Sequence, residues 1–214
     1  MIRMTLKDKV LSHLVTVSRH RSEVLKNCIR SGIPIQGLLH DLSKFSPAEF
    51  IVSCVNYQGN RSPNEAEREE KGYSSAWLHH KGRNRHHFEY WTDYSSKTRK
   101  LEGVDMPLRY LIEMFCDRVA ASKIYMGENY TDSSPLEYFE RGRAHRLISP
   151  KTSHRIEFLL TMLAYEGEKK TFAYIRHLRF RDIERRLTKL IIRFKNSGIY
   201  KKSTLSPDIK EKEK

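Results

Sequence analysis

The run Leu38-Leu39-His40-Asp41-Leu42-Ser43-Lys44 sets an imidazole beside a carboxylate, directly after apolar residues, with a lysine three positions on. Such a pair can offer one ring nitrogen and one carboxylate oxygen to a divalent cation. A nitrogen-plus-oxygen set suits Mn, Fe, Co, Ni or Zn better than Mg or Ca. By itself the dyad is weak. In a chain with 10 His, random order gives about 0.4 His-Asp pairs, and a hydrogen-bonded pair at a helix end is the plain alternative. Partners elsewhere must carry the case.

Several stand at suggestive positions. His79, His80, His86 and His87 fall within nine residues. A helix continuing through them would align His80, Asn84, His87 and Trp91 on one stripe, and His79, Arg83, His86 and Tyr90 on the next. Gly82 weakens that helix without forbidding it. Two His separated by two turns are too far apart to hold one metal unaided. They fit a second metal or a phosphate beside the first, and the plain alternative is a solvated basic helix carrying Lys81, Arg83 and Arg85. Asp117 interrupts the apolar stretch from Leu111 to Ala121. Burying a carboxylate there is costly unless it is paired or bound to a metal, so it reads as a ligand or as an ion pair at the core edge. His20 lies between Val17 and Val24, and His13 between Val10 and Val17, on the apolar face of a long first helix. Either alone would read as a core histidine.

In order, His20, His40-Asp41, the cluster at 79–87 and Asp117 resemble the HD-domain superfamily of metal-dependent phosphohydrolases. The likeness covers roughly residues 10 to 125. It rests on Gly37-Leu38-Leu39-His40-Asp41-Leu42-Ser43-Lys44 and on Phe115-Cys116-Asp117-Arg118-Val119-Ala120-Ala121. The chain also looks like a group of small bacterial and phage proteins that share the His-rich middle segment.

The resemblance implies that His20, His40, Asp41 and Asp117 hold one divalent transition metal (Mn, Fe, Co, Ni or Zn), with His13 as the fallback for His20. It implies that His80 and His87, or His79 and His86, serve a second metal or the substrate. Asp41 and Lys44 would be catalytic. Lys44, Arg83, Arg85 and Arg118 would neutralise phosphate. Such a metal lowers the pKa of a water toward neutrality and polarises the phosphorus centre. No separate general base stands out. Glu49 and Glu113 read as surface or ion-pair residues.

The elements expected to position these groups are helical. Strand patterns are nearly absent, so the fold is read as all-α, an HD-domain-like helical bundle with additional C-terminal helices. Helix 6–31 comes first, then a turn at Ser31-Gly32-Ile33-Pro34 and a short helix carrying the dyad. Ser46 with Glu49 and Pro47 marks the next start, and Asn64 with Glu67 the one after. Residues 94–104 look irregular and 106–126 helical. Two closing helices, 151–166 and 170–196, are set off by Gly167 and Gly198. The division expected is a metal-binding core over 1–126, a helical extension over 127–198 and a disordered tail over 199–214.

Composition bounds the function. The chain has 214 residues, 38% of them apolar, and a net charge of +14. Three Cys without a CxxC pair predict reduced thiols and a cytoplasmic protein. No leader pattern opens the sequence, and no run approaches the roughly 18 to 20 apolar residues of a membrane span. From Lys170 onward there are 14 Lys or Arg against 5 Asp or Glu. Arg176, Arg179, Arg181, Arg185, Arg186, Lys189 and Arg193 would line a helix. They form either a footprint for nucleic acid or another polyanion, or a solvated face behind inward-packed Leu187, Leu190, Ile191 and Phe194. The expected ligand is a phosphorylated small molecule or nucleotide. The alternative is a non-catalytic HD-like protein that binds nucleic acid through this basic face.

Overall fold

Thr5 opens the first helix, α1 (Leu6–Arg30), with a reciprocal cap. Its hydroxyl accepts from the Asp8 amide at 3.2 Å, and the Asp8 carboxylate accepts from the Thr5 amide at 3.1 Å. The computed structural model describes residues 4–59, 61–142 and 146–196, with side chains to 193. Its elements after α1 are α2 (Pro34–Leu39), α3 (Pro47–Val55), α4 (Pro63–Lys71), α5 (Ser75–Arg83), a hairpin of β1 (Thr92–Ser95) and β2 (Lys100–Gly103), α6 (Leu108–Met126), α7 (Ser134–Arg141) and α8 (Pro150–Asn196). The described residues are therefore all-α apart from one small antiparallel pair, in register Thr92↔Gly103 to Ser95↔Lys100.

The chain divides into two compact units, 1–176 and 177–214. In the first, α6 is the central element. Leu111, Ile112, Met114, Phe115, Cys116, Val119 and Ala120 are all buried, covering most of its circumference. It packs against Val24 and Cys28 of α1, Phe139 of α7 and Ile156, Leu160 and Leu163 of α8 in one core. Phe139 and Ile156 share that core with Phe115.

Two close approaches fix the elements around the dyad. A Cβ on Gly37 would lie 2.6 Å from the Cβ of Cys28 and 3.1 Å from the Cα of Leu25, so only glycine lets α2 lie this close to α1. A Cβ on Gly103 would meet the backbone nitrogen of Ser149 at 2.3 Å, which seats the hairpin against the start of α8. The expected break at Gly167 is present: its φ of 76° and ψ of 170° interrupt α8.

Other expectations change. The dyad is not carried within a helix: His40 caps the C-terminus of α2, and Asp41 follows in the left-handed region. The segment after His80 leaves the helix at Asn84, so the His cluster does not sit on one continuous helix. Residues 94–104, expected to be irregular, contribute most of the hairpin.

In the second unit, residues 177–196 are helical. Asp182 pairs with Arg179 at 3.1 Å and Arg186 at 2.9 Å. Leu187, Leu190 and Ile191 are 53, 58 and 55% exposed rather than packed inward, because no described residue covers them. The Phe194 side chain and the tail over 199–214 lie outside the described residues. No helix among the described residues is long and apolar enough to cross a membrane.

Candidate metal centre

The turn after α2 delivers the dyad. Asp41 adopts φ 53°, ψ 26°, a conformation Asp tolerates better than most residues with a Cβ. Arg21 of α1 holds the turn, donating to the carbonyl oxygens of His40 at 2.9 Å and Leu38 at 3.0 Å. His40 and Asp41 are each 1% exposed.

Four elements converge on them. From α1, His20 Nε2 reaches Asp117 Oδ1 at 3.0 Å and Asp41 Oδ2 at 3.8 Å. From α6, Asp117 Oδ1 also lies 3.7 Å from His40 Nε2. From α5, His80 Nε2 stands 3.3 Å from Asp41 Oδ1 and 2.9 Å from His87 Nε2. From the loop after α5, His86 Nε2 lies 3.4 Å from Asp41 Oδ1 and 4.0 Å from Asp117 Oδ2. Asp41 thus turns one oxygen toward His20 and His40, and the other toward His80 and His86.

The buried atoms at the centre are left without hydrogen bonds: His20 Nε2, His40 Nε2, His86 Nε2 and Asp41 Oδ1. His20 and Asp117 are close enough to bond at 3.0 Å, yet the ring is not aligned for it. An orphaned buried polar atom costs roughly 1–3 kcal/mol, so four in one place call for a shared partner. They fit a cation. His20, His40 and Asp41 can hold one ion, and Asp41, His80, His86 and His87 form a second group whose donor atoms lie within 4.8 Å of one another.

Carboxylates behind the rings set the tautomers. Glu113 accepts from His40 Nδ1 at 3.1 Å, lies 3.2 Å from His86 Nδ1, and accepts from Gln36 at 2.9 Å. Glu49 accepts from His79 Nδ1 at 2.6 Å and His80 Nδ1 at 2.7 Å. With Nδ1 donating outward, the Nε2 lone pairs of His40, His80 and His86 face the centre, as metal ligands are commonly arranged.

The electrostatics follow. Burial opposes charge on His40, but the Asp41, Glu113 and Asp117 carboxylates outweigh it and raise its pKa to about 10. Burial would raise the Glu113 pKa, but its bonds from His40 and His86 bring it down to about 2. Burial also opposes ionisation of Asp41, and the charges of His40, Lys44 and His80 hold its pKa well below the usual range. Lys44 Nζ sits 2.6 Å from Asp41 Oδ2, and this pairing keeps it charged against the cost of burial. Burial holds His20 and His87 low. Among the four buried or half-buried carboxylates, His40 and His80 are the rings whose charged form is favoured, and a divalent cation would supply the same counter-charge.

The centre opens into a cavity of about 210 Å³, lined by His20, Asp41, Lys44, His80, His87 and Asp117 at one end and by His13, Thr16, Ser53 and Tyr57 at the other. Trp77 and Tyr125 form its aromatic walls.

Residues 9–162 match a family described as a family of unknown function, DUF5662. The chain belongs to this family. No curated protein and no solved structure matches it. The match to DUF5662 spans every residue of the centre, from His20 to Asp117, and ends before the basic helix of the second unit.

Within this DUF5662 chain, the structure brings His20, His40, Asp41, Asp117, His80, His86, His87 and Lys44 together. It places His79 one layer out, on Glu49. It does not bring Arg83, Arg85 or Arg118 to the cavity. Arg83 folds back onto the carbonyl of His79 at 3.4 Å, since α5 ends there. Arg85 lies over Tyr90 and Tyr110, and Arg118 over Phe139. His13 lines the cavity but belongs to none of the ligand groups. Of the two readings of Glu49 and Glu113, the ion pair holds and the surface position does not: they are 2% and 6% exposed and pair with the ligand rings and His79. The spacing of Glu113 and Asp117, four apart on one helix face, was the available signal for the first. Arg21 carried none.

Proposed function

We propose that this protein is a metal-dependent phosphohydrolase of HD type, adding water across the P–O bond of a phosphate ester to release an alcohol and phosphate. The observation that carries this reading is the convergence of the unpartnered His20, His40 and His86 nitrogens with Asp41 Oδ1, where His20 and Asp41 also line a cavity that contains a lysine. His20, His40, Asp41 and Asp117 would hold a divalent transition metal, and His80, His86 and His87 would bring a second one to the other oxygen of Asp41. A metal there lowers the pKa of a water and draws charge from the phosphoryl group. Lys44 reaches the same space as a point charge for phosphate oxygens. Asp41 and Asp117, held ionised, can accept hydrogen bonds from the attacking water and orient it.

The test is elemental analysis of untagged protein beside the His40→Ala/Asp41→Ala double variant. Near-stoichiometric Mn, Fe, Co, Ni or Zn in the wild type, lost in the variant, is expected, followed by turnover of p-nitrophenyl phosphate with that metal. Two ions per chain would bring in His80, His86 and His87. No metal in either protein after reconstitution would end the hydrolase reading.

A second reading rests on the helix of the second unit, where Arg181, Arg185, Arg186, Lys189 and Arg193 are all exposed. Such a stripe suits a nucleic acid backbone. If it binds one, Arg185→Glu/Arg186→Glu abolishes salt-dependent retention of duplex DNA or RNA without changing metal content.

A further inference from the structure

The end of the cavity away from the metal ligands holds a histidine that the proposed chemistry does not use. His13 is 6% exposed, and its Nδ1 is sealed from solvent with no hydrogen-bond partner among the described residues, which leaves Nε2 as the nitrogen open to a ligand. Its ring is fixed between Phe50 and Tyr57, with centroids 5.5 Å from each. His13 precedes His20 by two helical turns, so it looks into the same space from about 10 Å farther along α1. Leaving a buried imidazole unpartnered is unfavourable, and the site is built rather than loose.

Its neighbours define what it would accept. Thr16 Oγ1 donates to the carbonyl of Ser12 at 2.9 Å. The Tyr57 hydroxyl, 2.8 Å from Thr16 Oγ1, must then be the donor of that pair. Tyr57 Oη is left to the cavity as an acceptor only. Tyr57 is 7% exposed. No carboxylate stands free at this end, because both oxygens of Glu49 are taken by His79 and His80. Lys44 is the single Lys or Arg among the lining residues, and it is already paired with Asp41. The end around His13 therefore has no charged group of its own and offers the Tyr57 lone pairs and the imidazole of His13, while Lys44 stands with the ligand residues as a cation for one phosphoryl group.

We propose that His13 and Tyr57 form a specificity subsite for the neutral, hydroxyl-bearing body of a phosphate monoester, such as a small sugar phosphate, and that the cavity discriminates against di- and triphosphates. This rests on the phosphohydrolase reading and names its substrate class. The volume agrees: about 210 Å³, at roughly 30 Å³ per water, corresponds to about seven water positions, enough for the body of a compact monoester and too little for a long polyphosphate chain with its base.

The test is calorimetric binding to the metal-loaded full chain, using inorganic phosphate, ribose 5-phosphate and adenosine triphosphate as probes. Wild type, His13→Leu and Tyr57→Phe are compared. Leucine keeps the packing between Phe50 and Tyr57 and removes both nitrogens, and phenylalanine removes only the hydroxyl. The expected result is that ribose 5-phosphate binds the wild type at least tenfold more tightly than inorganic phosphate or the triphosphate. Each variant should lose about tenfold for ribose 5-phosphate and less than twofold for inorganic phosphate. Inorganic phosphate that binds while ribose 5-phosphate gains nothing, or is unaffected by both substitutions, would overturn the subsite and leave the phosphohydrolase reading standing. Preference for the triphosphate would overturn the discrimination. Failure of inorganic phosphate to bind at all would remove both. Should His13→Leu not fold, Tyr57→Phe decides alone.

Discussion

At the residue scale, the centre depends on atoms that face inward because other atoms hold them from behind. Glu113 supports two rings at once. Glu113→Gln should keep the fold and weaken metal binding by 10- to 100-fold, read by competition with a chromophoric chelator. An unchanged affinity would mean that the His40 and His86 rings are oriented by packing alone. Asp41 needs a more careful choice of variant. Its backbone is left-handed, so Asp41→Ala adds roughly 1–2 kcal/mol of strain to the loss of a ligand. Asp41→Asn keeps the tolerance for that conformation, and its metal content isolates the carboxylate. The sequence displayed the ligands better than their supports. A His-Asp pair and an Asp in an apolar stretch are unusual enough to be noticed. A Glu at the third position of a helix is not, and Glu49 beside Ser46 matched a capping pattern so well that its pairing with His79 and His80 was invisible.

At the scale of elements, the same diversion recurs in α4. Glu67 was expected to cap its own helix with Asn64, and instead reaches forward to α5. It accepts from the hydroxyls of Ser74 at 2.7 Å and Ser75 at 2.6 Å, and from the Ala76 amide at 3.4 Å. Burial opposes its ionisation, but these bonds bring its pKa down to about 2 from an ordinary 4.5. The unfolded state therefore binds the proton first. The stability it contributes is complete above about pH 4.5 and lost as pH falls toward 2. Glu67→Gln should cost about 1–2 kcal/mol at pH 7 and flatten acid unfolding between pH 4.5 and 2. An identical acid profile would remove Glu67 from the account of α5. Gly37→Ala tests the other contact that places the dyad. With backbone 3.1 Å from the new methyl, α2 must shift off α1, at about 1–3 kcal/mol, visible as a lowered melting temperature. Helix existence was legible from periodicity and turn residues. The end of α5 at Arg83 was not, because the ring contacts of His86 and His87, rather than local propensity, decide where the chain turns.

At the scale of the whole molecule, a ligand that binds only the folded state adds stability by mass action. Free metal at a hundred times its dissociation constant contributes about 2.7 kcal/mol. For a chain of this length, chelation should lower the melting temperature by roughly 5–10 °C, and scanning calorimetry with and without chelator reads it directly. A midpoint that ignores the chelator would speak against a metal in the folded centre. The distribution of the ligands along the chain also has a consequence for how the protein is made. His40 and Glu113 are 73 positions apart, and α6 supplies both the last ligand and the middle of the core. At about 5–20 residues per second, a ribosome takes roughly 4–15 s to travel that distance. Throughout that interval the first histidines are synthesised but the centre cannot close, so the nascent chain offers isolated imidazoles to any soft metal in its surroundings. If the centre takes up a metal as proposed, the ion it holds is set by the metal pool at the moment α6 emerges.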